Sequence, residues 1–209
     1  GLLLSCEAAL NTIFGYKPVP KGGTFELERF VFLTSNPGKE YDGADFSGRK
    51  EIKQGEDSEI SPTFFRPSDV TVGPDGAIYF ADWFDPRIGA SSHLDESFSG
   101  TIYRVAPKGF KPKIPKIDLT NINGQIMALR SPAINTRYLG FKSLKSQGEK
   151  ASNYVFKQLD DANKWIAARA VWLLPYIGSQ GIDNCIKMLE DENSDERVVA
   201  YRSLRRAGH

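Results

Sequence analysis

Phe65-Arg66-Pro67-Ser68-Asp69-Val70-Thr71-Val72-Gly73-Pro74-Asp75-Gly76-Ala77-Ile78-Tyr79-Phe80-Ala81-Asp82 is the stretch whose reading decides the fold. Two alternating apolar runs flank Gly73-Pro74-Asp75-Gly76, which reads as strand, tight turn, strand. The second run closes on Asp82 and opens a polar stretch that holds His93, one of two histidines in the chain. A third alternating run, Gly100-Thr101-Ile102-Tyr103-Arg104-Val105, follows. Strand, turn, strand, loop, strand is the order of the inner part of a β-propeller blade.

The same order is legible near the start of the chain. Gly1-Leu2-Leu3-Leu4-Ser5-Cys6-Glu7 aligns with Gly76–Asp82 at an offset of 75, and Asn11–Pro18 aligns with Gly100–Pro107 at an offset of 89. The second copy therefore carries 14 more residues between its strands. Phe25–Leu33 would be the outer strand of the first copy, which lacks an innermost one. The expectation is a fragment of a longer protein, with the last blades of a partial β-propeller over 1–107.

Residues 108–118 change character. Lys108-Gly109-Phe110-Lys111-Pro112-Lys113-Ile114-Pro115-Lys116 is basic and broken by prolines, as suits an extended connector. Beyond it, over 119–209, the apolar pattern is helical and recurs with a period of 30. Gly140, Ala170 and Ala200 share one position, Leu144, Leu174 and Leu204 another, and Gly148, Gly178 and Gly208 a third. Such a period predicts stacked HEAT-like helical repeats, an α-solenoid. The fold class expected is thus multi-domain, all-β followed by all-α.

Composition excludes several function classes. The formal charge is +1 and 40% of residues are hydrophobic, which gives no electrostatic reason to expect nucleic acid. No apolar run is long enough to cross a membrane. Cys6 and Cys185 lie far apart, and neither a zinc spacing nor a C-x-x-C-H haem motif is present.

The candidate site is a face rather than a single residue. In a blade, the first strand begins where the second ends, so Arg66 and Asp69 share an end with Asp82. The 18 residues from Asp82 to Ser99 and the 31 from Ser35 to Phe65 would reach that same end. An arginine there could hold carboxylates of a cofactor, because its planar fork matches them. His93 beside a carboxylate could take a hydroxyl proton as a general base. Asp82, Asp85, Asp95 and Glu96 could instead offer hard oxygen ligands to calcium. The structural alternatives stand beside these: Asp82 bonding loop amides, Arg66 acting as an internal partner, and His93 as an ordinary loop residue.

Phe65–Asp82 continuing into Trp83-Phe84-Asp85-Pro86, with Gly100–Arg104, Leu4–Ala8, Tyr16–Pro20 and the Lys108–Lys116 connector, resembles a bacterial family of membrane-bound dehydrogenases. Its propeller is similar to that of soluble quinoprotein glucose/sorbosone-type dehydrogenases. The resemblance covers nearly the whole chain and implies oxidation of a sugar or other alcohol. It implies pyrroloquinoline quinone as cofactor, calcium as a possible ion, and a haem-bearing cytochrome-c-like domain downstream as electron acceptor. It also implies a periplasmic or cell-envelope location. In that scheme Arg66 and Asp69 bind the cofactor, His93, Asp82 and Asp85 serve catalysis, and Asp95 is the weak calcium candidate. Two further classes stay open: a non-catalytic binding or scaffold module, with protein partners on the helical repeats, and a calcium-dependent hydrolase.

Overall fold

The computed structural model describes residues 1–22, 24–35, 65–83 and 100–209. The chain divides into two units, one of Gly1–Val72 with Ala77–Phe110, the other of Gly73–Gly76 with Lys111–His209.

Six strands form two three-stranded antiparallel sheets in the first unit. β1 (Leu3–Glu7), β2 (Thr12–Lys21) and β3 (Thr24–Thr34) lie in the order β1-β2-β3. β4 (Pro67–Val72), β5 (Ile78–Asp82) and β6 (Thr101–Val105) lie in the order β4-β5-β6. The quoted stretch is a hairpin because its alternation needs a reversal at Gly73–Gly76. There Gly76 N–H donates to Gly73 O at 2.9 Å, with Gly76 at φ 86. Glycine reaches that backbone region without steric cost.

The offsets seen in sequence relate real elements. β1 and β5 begin 75 residues apart, and β2 and β6 begin 89 apart. Even so, the expected partial β-propeller is not what the chain forms. A propeller repeats four-stranded blades around a channel, whereas the described strands make two sheets of three. The alignment captured equivalent hairpin strands, and strand pairing says nothing about radial repetition.

Aromatic rings pack against one another on the β4-β5-β6 sheet. Phe80 is 3% exposed and stacks on Tyr103 with centroids 5.2 Å apart, and Phe65 meets Phe80 edge-on at 5.8 Å. In the first sheet Ile13 and Phe14 are buried, and Arg29 lies over the Phe14 ring at 4.9 Å. Phe30 covers Gly15, where any side chain would strike its ring.

No strand or helix occurs from Ala106 to Asp118. The second unit follows: α1 (Ile122–Arg130), α2 (Ile134–Gln147), α3 (Ser152–Phe156), α4 (Lys164–Leu173), α5 (Ser179–Met188) and α6 (Ser194–Ala207), with 3₁₀ turns at Gly148–Ala151 and Leu174–Tyr176. The period of 30 marks its interior. Ala170, Ala200, Leu144 and Leu174 are fully buried, and Leu204 nearly so, within one apolar cluster that also takes Leu129, Val155, Leu173, Ile177 and Cys185. Gly140 is small because α1 and α2 touch there. A Cβ would collide with the Leu129 amide and the Gln125 carbonyl.

Polar equivalents recur too. Asp161 accepts from Asn163 N–H and Asp191 from Asn193 N–H, each at 2.8 Å. Asn163 and Asn193 then cap α4 and α6, accepting from Trp165 N–H and Asp195 N–H at 3.0 Å each. Such a cap is worth roughly 1 kcal/mol. The HEAT-like solenoid expected over 119–209 is nonetheless corrected. Among the described residues α3 is only 5 residues long, 3₁₀ turns interrupt the helices, and no long helical array is present. The whole is a small mixed α/β structure, not an all-β domain joined to an all-α solenoid. A repeat in sequence specifies equivalent helix contacts; it does not by itself extend them into a superhelix.

Candidate functional site

One end of the β4-β5-β6 sheet gathers the residues singled out from sequence. Pro67 pairs with Asp82, and Asp82 with Thr101, so the start of β4, the end of β5 and the start of β6 lie side by side. A register irregularity between Pro67 and Asp69 turns the β4 backbone at this end.

Arg66 is 7% exposed and Asp82 4%. Arg66 N–H donates to Asp82 Oδ1 at 2.7 Å, and Trp83 N–H donates to Arg66 O at 2.9 Å. The Arg66 guanidinium reaches across to the first sheet, where Nη1 donates to Ala8 O at 3.1 Å. Asn11 answers from the other side, its Nδ2 donating to Phe65 O at 2.6 Å. Asn11 O in turn accepts from Ser35 N–H at 3.2 Å and from Thr34 Oγ1 at 3.2 Å. Asn11 sits at φ 56, a region that asparagine tolerates better than most residues.

These bonds form a hub that ties both sheets together. Ser35, Phe65, Trp83 and Gly100 border the stretches 36–64 and 84–99, and the first three belong to it. Gly100 lies so close that a Cβ would stand 3.4 Å from Asp82 O. The described residues on either side of 36–64 and of 84–99 therefore lie on a single rim. Trp83, at 64% exposed, stands at that rim.

The structure brings Arg66 and Asp82 together and leaves Asp69 apart from them. Asp69 is exposed on β4, and its Oδ1 accepts from the next residue's N–H at 2.8 Å. Its charge is felt at Cys6 on β1: burial first, and then the Asp69 charge, push the Cys6 thiol above its ordinary pKa. His93, Asp85, Asp95 and Glu96 lie outside the described residues. Sequence reasoning did not single out Asn11 or the Ala8 carbonyl. The one available signal was an asparagine closing a short turn between β1 and β2.

The donor set can be tested against the groups expected. A carboxylate-bearing quinone wants exposed cationic forks, but Arg66 is buried and engaged with Ala8 O, beside the Asp82 carboxylate. Calcium wants several convergent oxygens, and no group of three or more His, Cys, Asp or Glu side chains able to hold a metal occurs among the described residues. The described residues thus fit neither group by themselves. No helix among them is long and apolar enough to cross a membrane.

The sequence matches no protein-family model, and no curated protein matches it.

Proposed function

We propose that the chain is part of a dehydrogenase that oxidises a sugar or other alcohol and hands the electrons to a cytochrome-type acceptor. The sequence resemblance supports the chemistry. The observation that carries this chain's own part is the hub of Asn11, Arg66 and Asp82, which holds the described residues bordering 36–64 and 84–99 on one rim. In this reading the hub is a frame. Asp82 fixes the Arg66 backbone, Arg66 fixes the β1–β2 turn, and neither handles substrate. The reacting groups then come from the two stretches, with His93 as the base candidate for the hydroxyl proton and Asp85 as its carboxylate neighbour.

The test uses the full-length protein that contains this chain, since the chain alone is expected to be inactive, titrated with pyrroloquinoline quinone, with and without calcium, following dye reduction across sugars and polyols. Quinone-dependent turnover that His93→Ala removes, with the unfolding midpoint unchanged, is the expected outcome. A folded protein that neither binds quinone nor turns over any of these substrates overturns the proposal.

A second reading, a non-catalytic binding module, is favoured by one observation. Leu3, Phe25, Leu27 and Val31 fall on one face of the first sheet by register and are 53%, 59%, 48% and 44% exposed. Exposed apolar rows of this kind mark contact surfaces. Failure of the quinone titration, together with unimpaired folding, would move the assignment to this class.

A further inference from the structure

Lys111-Pro112-Lys113-Ile114-Pro115-Lys116 opens the helical unit ahead of α1. All of these residues are exposed, Ile114 at 70%, and none lies in a helix or strand. Among the described residues no hydrogen bond, ion pair or ring contact engages any of them. Lys17 and Lys21, by contrast, are each paired with a glutamate of β3. The acidic residue nearest in sequence is Asp118, and it is bonded to the residues that start α1. Its Oδ1 accepts from Thr120 N–H at 2.9 Å and its Oδ2 from Asn121 Nδ2 at 2.7 Å. The lysines of the strip therefore present their charge to the outside.

Proline fixes its own φ and biases the residue before it to extended backbone. Pro112 and Pro115 thus restrict Lys111 and Ile114 as well as themselves. Such a strip is extended in advance, so laying it on a surface costs little further ordering. Neither proline has an N–H, which removes two donors that would otherwise lose water at a surface of low polarity. The exposed isoleucine between the lysines selects among anionic partners. A polyanion such as nucleic acid would engage the ammonium groups and leave Ile114 in water. A lipid surface takes both, with ammonium groups among anionic headgroups and the aliphatic side chain at the acyl boundary.

We infer that Lys111–Lys116 is a peripheral docking strip for an anionic lipid surface, which it lies on rather than spans. The strip belongs wholly to the helical unit, and its role does not depend on the dehydrogenase reading.

The experiment is co-sedimentation of the protein with vesicles of phosphatidylcholine and phosphatidylserine in equal parts, and with vesicles of phosphatidylcholine alone. Each is done at low salt and at about 1 M salt, where the screening length is about 3 Å. The variants are Lys113→Gln/Lys116→Gln, Ile114→Ser and a control pair, Lys157→Gln/Lys187→Gln, which removes the same charge from exposed positions elsewhere in the helical unit. Unfolding midpoints should be unchanged in all of them, since every substituted side chain is exposed. Binding to the anionic vesicles at low salt, largely lost at high salt, is expected. One lysine near such a surface changes binding about fivefold. The strip pair should therefore weaken it roughly twentyfold and Ile114→Ser roughly threefold, while the control pair leaves it nearly unchanged. No sedimentation with the anionic vesicles, equal sedimentation with phosphatidylcholine alone, or equal losses in the strip and control pairs overturns the strip. Binding untouched by Ile114→Ser makes the strip a plain polyanion contact and overturns the lipid surface as its partner.

Discussion

The backbone N–H of Arg66 donates to Oδ1 of Asp82 at 2.7 Å, and both residues are buried, at 7% and 4% exposed. The two candidates that sequence placed at one end of a hairpin are therefore bonded to each other through backbone and carboxylate. Such a pair holds the start of β4 to the end of β5, and it explains why an aspartate closes an otherwise apolar strand.

Asp82→Ala should destabilise the protein by about 2 kcal/mol, since it strands a buried amide that now meets a charged acceptor. Asp82→Asn keeps an acceptor oxygen and should cost less than half as much. Urea unfolding of the two variants decides the point. Equal losses would show that the carboxylate's charge, not its hydrogen bond, is what the fold uses.

Gly140→Ala should cost about 1–3 kcal/mol, because its Cβ meets backbone of α1 that cannot move aside as a side chain could. Gly208 gives the contrast. It sits in the left-handed region at φ 90 and ψ 22 with nothing within 4 Å of the added Cβ, so Gly208→Ala should cost about 1 kcal/mol through backbone strain alone. Thermal unfolding that ranked Gly208→Ala as the more damaging would refute the close α1–α2 packing.

Asp161 gives a pH dependence of definite sign. The hydrogen bond from Arg130, then that from the Asn163 amide, hold its carboxyl below the ordinary aspartate value. A group depressed in the folded state contributes stability above its unfolded pKa and loses it as pH falls through the folded one. Stability should therefore drop as pH falls below about 4, the ordinary aspartate range. Arg130→Gln should raise the Asp161 pKa and shrink that drop. Carbon-detected NMR titration of the carboxyl reads the shift, and an unchanged pKa in the variant would remove Arg130 as its cause.

Local structure was legible wherever neighbouring residues dictate it. Alternation around Gly73–Gly76 marked β4 and β5, and the period of 30 marked Ala170, Ala200, Leu144 and Leu174 as interior. The site was legible only in part. That Arg66 and Asp82 share an end follows from hairpin geometry. That Arg66 reaches Ala8 O, 58 residues away, does not.

Sequence by itself determined the strands, the turn, the capped helices and the buried repeat positions, because side-chain period and backbone conformation are set within a few residues. Tertiary structure alone decided that the strands make two separate sheets of three, that the helices gather in one short core, and that Arg66 is spent on a carbonyl of the other sheet. Those outcomes depend on which apolar faces and which buried donors find partners far along the chain. The same hairpins and helix pairs can be assembled in several ways, and a short-range pattern does not distinguish among them.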